Sequence, residues 1–257
     1  MLLKEFKVLL HLISRVPVGL SWDVQDGDAG RSLRLLPIWG FVLGLFATAL
    51  GILFGLVGPL LAAAMTLFSS LFLNGGLHVR NLMLIAGAQV GEPERDARWQ
   101  SIQNERIRYG GILFGMATVM IKFACYFQAF SDQTALWLLP AAFVFGSWTM
   151  AWAVFAYPTV PESKRGTVLK KYFSRNSFIC ASGITVILLA AFRDWFLLST
   201  ALIALLLIVL ICHRNMKSLG GFSWECQNAA WEWGELAFLL SYYLLRLGQQ
   251  YVLRLFI

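Results

Sequence analysis

Long apolar runs, separated by short polar segments, make up most of this chain. Five runs are close to the ~20 residues that an α-helix needs to cross a bilayer; they cover 35–57, 110–130, 135–157, 195–213 and 229–247. Shorter runs at 59–75 and 178–192 bring the predicted spans to about seven. The pattern therefore predicts an all-α polytopic membrane protein that forms a single domain over residues 1–257.

Residues 1–18 follow a different pattern. Leucines recur there at helical spacing among charged or titratable residues, which are Lys4, Glu5, Lys7, His11 and Arg15. A helix with one apolar and one charged face lies in the membrane interface, not across it. We therefore predict an amphipathic helix at the N-terminus.

The stretch NGGLHVRNLMLIAGAQ, residues 74–89, interrupts the apolar pattern. Gly75 and Gly76 are adjacent, and His78 and Arg80 follow them. Glycine favours conformations that break a helix, and irregular backbone at membrane depth is tolerated only where it is buried or lines a cavity. We predict a short re-entrant or broken segment near 74–90.

Composition supports the membrane assignment and adds an orientation. Hydrophobic residues make up 58% of the chain and charged residues 14%, against roughly 25% charged in soluble domains. Lys and Arg are concentrated in four segments, 1–34, 74–108, 158–177 and 213–228. The connections on the other side hold only Asp132, Arg193 and Asp194.

The positive-inside rule places these four basic segments and the N-terminus on the cytoplasmic side. We therefore expect a multi-pass protein of the bacterial or archaeal cytoplasmic (inner) membrane, with the lipid bilayer as its surroundings. Because the basic residues are divided among loops with no folded basic module, we expect no nucleic-acid partner.

Three ionisable side chains fall inside predicted spans. Lys122 lies about twelve residues, or roughly 18 Å, into its span, while Glu232 and Glu235 share one face of the last span. Charged groups in a bilayer are costly and face the bundle interior, so we expect Lys122 to reach Glu232 or Glu235. Two interpretations stay open: a structural ion pair with the second carboxylate extending to the interface, or a polar cavity that opens to the cytoplasm.

The segment GEPERDARWQSIQNERIR, residues 91–108, mixes acids and arginines. Such a segment is usually a solvated loop. Arg106 and Arg108 adjoin the next span, however, and arginine forms strong hydrogen bonds with phosphate, so a phosphate-binding role stays open as well. Gly220 and Gly221, shortly before Glu225, are ordinary for a turn when considered alone.

Taken in order, several motifs resemble those of the cobalamin synthase family, adenosylcobinamide-GDP ribazoletransferase. The motifs are ISRVPV at 13–18, LPIWG at 36–40, GGLH at 75–78, RI at 106–107, GG at 220–221 and AAWEWGEL at 229–236. Lys122 falls where the family carries a lysine. The resemblance covers the chain nearly from end to end.

The resemblance implies a membrane enzyme that joins adenosylcobinamide-GDP to α-ribazole or its phosphate and releases GMP. The family requires Mg²⁺, since cleavage of a phosphoanhydride places charge on phosphate oxygens. The carboxylates for Mg²⁺ are attributed to the family motif G-G-L-H-x-D-G-x-x-D-x-x-D-G, in keeping with the oxygen ligands that Mg²⁺ prefers.

This chain departs from the family where the chemistry is implied. The three aspartate positions hold Arg80, Leu84 and Gly87. The aspartate of the next motif is Asn104 and its final glycine is Arg108, while the family's T-G-D reads Ser223, Trp224 and Glu225. An arginine repels a divalent cation and attracts an anion, so the resemblance implies the scaffold but not its metal site.

We therefore predict a cobalamin-synthase-like membrane protein without the Mg²⁺-dependent transfer. It would act as a subunit or scaffold of a membrane complex or homo-oligomer, or bind a corrinoid, nucleotide or phospholipid. The candidate ligand-binding residues are His78, Arg80, Asn104, Arg106, Arg108 and Lys122, and the candidate structural glycines are Gly75, Gly76, Gly220 and Gly221.

The alternative is an active adenosylcobinamide-GDP ribazoletransferase with a rebuilt site. Mg²⁺ would then be held by Glu225, Glu232 and Glu235. A transporter is a third and weaker hypothesis, because the sequence lacks the paired broken helices of inverted repeats.

Overall fold

The computed structural model describes residues 2–19, 24–132 and 136–255, with side chains through residue 250. Within these ranges the chain forms twelve α-helices and one 3₁₀ helix, Leu33–Leu35, and no β-strand. The helices are α1 Leu2–Ile13, α2 Asp26–Ser32, α3 Leu36–Gly55, α4 Pro59–Leu73, α5 Leu77–Gly91, α6 Arg95–Gln103, α7 Tyr109–Asp132, α8 Leu138–Ala156, α9 Lys164–Tyr172, α10 Arg175–Ala191, α11 Trp195–Leu219 and α12 Trp224–Leu255.

Four helical stretches are long and apolar enough to cross a membrane: Asp26–Gly55, α7, α8 and α11. The pairs α4 with α5 and α9 with α10 also qualify when each is taken together, but they are bent by 84° and 83°. The structure thus has four candidate spans, or up to six when each bent pair counts as one. The predicted all-α, multi-pass membrane fold is confirmed.

The number of spans in the structure is lower than the predicted seven for two physical reasons. The run at 229–247 lies in α12, which at 32 residues is about 48 Å long. The run contains three charged residues, Glu232, Glu235 and Arg246, and these reduce its apolar character. The runs at 59–75 and 178–192 are α4 and α10, and each belongs to a bent pair. Part of the predicted connection at 131–134 lies outside the described residues.

The predicted amphipathic helix is α1, but its charged face is not simply exposed to water. Val8, Leu9 and Ile13 are fully buried. Glu5 is buried too, and its carboxylate forms an ion pair with Arg34 at 2.7 Å. This contact fixes α1 to the start of the first long helical stretch.

The predicted break near 74–90 occurs between α4 and α5. Gly75 and Gly76 there have φ angles of +60° and +64°, a left-handed conformation that costs other residues roughly 1–2 kcal/mol. The backbone N–H of Arg15 donates to the Leu73 carbonyl at 2.7 Å, and the Arg15 side chain occupies the space beside Gly75. The segment after α1 therefore packs against the break.

Helix α5 then runs antiparallel to the first half of α7. Gly111 packs against Met83 and Gly87, and Gly115 packs against Met83. At the end of α5, the Gly91 carbonyl accepts a hydrogen bond from Arg108 at 3.4 Å. Small residues let the two backbones approach closely, as is common between membrane helices, and this packing places the first turn of α5 next to the middle of α7.

Helix α8 lies at the centre of the bundle, and 83% of its most apolar stretch is buried. It packs against α3, where Gly40 lies against Phe143 and Ser147. It also packs against α12, where Gly146 lies against Trp231 and Glu235. This arrangement turns the charged face of α12 toward the interior.

Candidate functional site

A cleft of about 400 Å³ opens at one end of the bundle. It lies between the first turn of α5, the end of α6, the segment leading into α9 and the first turn of α12, and we call it the α5–α12 cleft. Its charged lining residues are Arg80, Glu105, Glu162, Lys164, Arg165 and Glu225. Three of the four basic segments therefore meet here, and three cations stand beside three carboxylates.

Arg80 lies on the first turn of α5, at the position where the resemblance implies the first aspartate. Its guanidinium contacts the Glu105 carboxylate at 2.5 Å, and the two side chains are 40% and 68% exposed. Exposed ion pairs contribute about 0–1 kcal/mol. A phosphate that binds two guanidinium N–H groups at once can therefore replace Glu105.

The opposite wall of the cleft is built around Ser163. Its hydroxyl accepts hydrogen bonds from the backbone N–H groups of Trp224, at 3.1 Å, and Gly166, at 3.3 Å. The bond from Gly166 caps α9, and the bond from Trp224 joins α9 to the start of α12. The Arg165 guanidinium consequently lies over the Trp224 indole, 4.2 Å from the ring centroid, in a cation–π contact.

The structure brings only some of the predicted ligand-binding residues to this cleft. Arg108 lies at the far end of α5, where it pairs with Glu92. Asn104 ends α6, and its backbone N–H donates to Gln100. Neither these two nor Arg106 is among the residues that line the cleft, although Glu105, next to Arg106 in the chain, is paired with Arg80.

The cleft is lined instead by residues that were not predicted from the sequence. Lys164, Arg165 and Trp224 line the cleft. For Lys164 and Arg165 the signal in the sequence is the basic segment 158–177, which indicates orientation only. Trp224 belongs to the motif at 223–225, from which the sequence predicts no ligand contact. The glycines keep local roles: Gly220 ends α11 with φ of +72°, and Gly221 packs against Val160.

The expected contact of Lys122 is confirmed, with both carboxylates. Its ammonium Nζ lies 2.9 Å from Glu232 Oε2 and 3.0 Å from Glu235 Oε1. The hydroxyl of Tyr126 also donates to Glu235 Oε1. We call these four residues the buried cluster, since each is at most 4% exposed. Neither carboxylate extends to the interface, so this detail of the structural-pair interpretation is wrong.

His78 lies beside the buried cluster. Its imidazole stacks on the Trp231 indole, with ring centroids 4.4 Å apart and planes inclined by 16°. With Lys122, Glu232 and Glu235 it lines a cavity that has room for about one water molecule. A polar cavity therefore does lie beside the ion pair, but it is small.

The carboxylates of this chain do not form a site for the Mg²⁺ that the resemblance implies. Glu225 lines the α5–α12 cleft, whereas Glu232 and Glu235 belong to the buried cluster, with the Lys122 ammonium between them. In the part of the chain that the structure describes, no three or more His, Cys, Asp or Glu residues are grouped to hold a metal. The substitute site of Glu225, Glu232 and Glu235 is therefore not formed.

Comparison with known proteins agrees with the resemblance. The family model for cobalamin-5-phosphate synthase matches residues 5–243. An adenosylcobinamide-GDP ribazoletransferase of Pseudomonas syringae pv. syringae is 26% identical, over 93% of this chain and 99% of its own. The enzymes with the same name from Klebsiella pneumoniae and Desulfitobacterium hafniense are 26% and 22% identical, over 93% of this chain and 99% and 96% of theirs. No solved structure matches this chain with comparable significance. The family match spans nearly the whole chain, and this protein belongs to the cobalamin-5-phosphate synthase family.

Proposed function

We propose that this chain binds the nucleotide-activated corrinoid of its relatives in the α5–α12 cleft, without carrying out their Mg²⁺-dependent transfer. The substrate class is supported by the relatives, which are named adenosylcobinamide-GDP ribazoletransferases. The loss of transfer is supported by one observation: the side chain at the first aspartate position is Arg80, which lines the cleft. The orientation that goes with this proposal places the cleft in the cytoplasm, where nucleotides are found.

Electrostatics gives the size of the effect. Two unit charges ~4 Å apart interact by about 4 kcal/mol at an effective dielectric near 20. Exchanging a carboxylate for Arg80 therefore turns attraction for Mg²⁺ into repulsion of at least that order. Since each 1.36 kcal/mol changes a rate tenfold, a metal-assisted step would slow by at least about a hundredfold.

The same change favours an anion. A diphosphate carries negative oxygens that Arg80, Lys164 and Arg165 can bind from two sides of the cleft, as those three residues line it. The Trp224 indole also lines the cleft, and Arg165 stacks on its face. Bound in this way, the diphosphate group would meet cations of the protein where the family's enzymes are expected to offer it a metal.

The second candidate is the transferase itself. The names of the relatives and the length of the match favour it, and on those grounds alone it would be the first choice. It requires a source of Mg²⁺ ligands other than Glu225, Glu232 and Glu235, since these acids do not meet. The two candidates differ in one measurable product, which is GMP.

The test supplies adenosylcobinamide-GDP, α-ribazole and Mg²⁺ to the purified protein in lipid vesicles. We expect adenosylcobinamide-GDP to bind, measured by equilibrium dialysis of the coloured corrinoid, and no GMP to be released. A relative that retains its aspartates serves as the positive control for turnover. GMP release at a comparable rate would establish the transferase instead, and absence of binding would contradict the proposed substrate class.

A further inference from the structure

The buried cluster contains more negative than positive charge. Lys122 supplies one ammonium, whereas Glu232 and Glu235 supply two carboxyl groups, and all three side chains are buried. The cavity beside them is lined from α4, α5 and α8 by groups such as Ser70, Asn74, His78 and Phe143, of which only His78 is titratable. Tyr126 contributes a neutral hydroxyl from α7.

Several polar atoms around this cavity have no hydrogen-bond partner within the described residues. Oε1 of Glu235 forms an ion pair with Lys122 and accepts a hydrogen bond from Tyr126. Oε2 of Glu235, Oδ1 of Asn74 and both ring nitrogens of His78 are buried and unpartnered. Asn228 lies near the imidazole, but its side-chain amide donates to the Trp224 carbonyl at 2.8 Å. Buried polar groups are almost always hydrogen-bonded, to protein or to water.

The unpartnered atoms share one location. Asn74, His78 and Glu235 all line the same cavity, which has room for about one water molecule. A water molecule there can bond to two or more of them at once. The side chains are at least nine-tenths buried, with exposures of 7%, 1% and 0%, so bulk solvent does not satisfy them.

Charge balance decides the protonation state. A buried carboxylate without a compensating cation takes up a proton, because an isolated charge in an apolar interior is far less stable than the neutral acid. Lys122 balances one of the two carboxylates. We propose that Glu232 and Glu235 hold a single proton between them, placed on Oε2 of Glu235, and that a bound water links this O–H group to Asn74 and His78.

The proposal assigns a proton-binding site to the interior of the bundle, separate from the α5–α12 cleft. The first turn of α5 divides the two. Leu77, Arg80 and Asn81 face the cleft, whereas His78 faces the proton site. The site does not depend on which substrate the cleft binds.

Infrared spectroscopy of the protein in lipid vesicles at neutral pH tests the proposal. We expect the C=O band of one protonated carboxylic acid, with a shift in D₂O. Glu235→Gln and Glu232→Gln should each abolish the band, because Lys122 then balances the single remaining carboxylate. Lys122→Met should roughly double its intensity, because both acids then lose their cation.

The controls separate this result from other acids and from misfolding. Glu94→Gln removes an exposed carboxylate and should leave the band unchanged. Circular dichroism checks the helix content of each variant, and His78→Gln gives a further readout, since the loss of the imidazole should shift the frequency of the band. A wild-type protein without this band, or a band unaffected by both glutamine variants, would overturn the proposal.

Discussion

Arg80 is the single residue that changes the chemistry of the cleft most. Its guanidinium lies where the resemblance to the family implies a carboxylate, and its partner Glu105 is 68% exposed. Arginine presents a planar group with several donors that matches a phosphate well, whereas lysine acts as a point charge. The nature of the side chain therefore favours a phosphate over a metal ion at this position.

Replacing Arg80 should weaken the binding of adenosylcobinamide-GDP. We expect Arg80→Ala to raise the dissociation constant roughly tenfold to a hundredfold, since hydrogen bonds to charged groups contribute about 1.5–3 kcal/mol. Arg80→Lys should recover only part of the loss. Equilibrium dialysis measures each constant.

Lys171→Ala is the matched control for Arg80. It removes an exposed cation of α9 that does not line the cleft, so its dissociation constant should stay near that of the wild type. Equal affinities of wild type and Arg80→Ala would show that the phosphate binds elsewhere.

The break between α4 and α5 governs the site at the scale of elements. It sets the 84° bend between the two helices. The bend allows α5 to lie along the first half of α7, which places Arg80 in the cleft and His78 beside the buried cluster. Side chains two residues apart on a helix point in different directions, so one turn serves two separate sites.

A substitution at Gly76 tests the backbone conformation of this break without a steric clash. It has φ of +64°, and a Cβ there would meet no atom within 4 Å. Gly76→Ala should therefore lower the free energy of unfolding by about 1–2 kcal/mol through the left-handed backbone alone. Gly75→Ala should cost more, because a Cβ there also collides with the Arg15 side chain.

Gly183→Ala, in the middle of α10, provides the comparison. This glycine also has open space around it, but its backbone is helical, where alanine is favoured over glycine by roughly 1 kcal/mol. Denaturation in mixed detergent micelles measures the three variants. A Gly76→Ala protein as stable as Gly183→Ala would contradict the assigned role of the break.

The basic segments share one end of the whole molecule. The α5–α12 cleft joins residues from α5, α9 and α12, and a second cavity joins Leu12 and Asp26 to Lys164 and Arg165. At the opposite end, Asp132 of α7 pairs with Arg246 of α12. Lys and Arg near a span favour the cytoplasmic side, so this asymmetry predicts the orientation.

A reporter fused after Lys171 tests that orientation. We expect it to score as cytoplasmic, because Lys171 ends α9 beside the basic segments. A fusion after Asp194, in the connection between α10 and α11, is the matched control and should score on the other side. The reverse pair of results would show that the assigned orientation is wrong and that the cleft is not exposed to the cytoplasm.

The sequence by itself determined the features that depend on local patterns. Apolar runs of span length predict helices because the bilayer leaves the backbone no other hydrogen-bond partners. Adjacent glycines marked the break at Gly75 and Gly76, and the cost of an unpaired charge in a bilayer predicted the contact of Lys122 with Glu232 or Glu235. Ordered motifs along the chain were enough to indicate the family.

Only the tertiary structure decided which distant residues meet. Helical periodicity states which residues share a face, but not which neighbour that face packs against. Glu225 lines the cleft, whereas Glu232, about 10 Å further along α12, is held against Lys122 of α7. Arg108 is held at the far end of α5 from Arg80. Lys164 and Arg165 reach the cleft through the bonds of Ser163 to Gly166 and Trp224, a contact between segments about sixty residues apart that only three-dimensional packing can set.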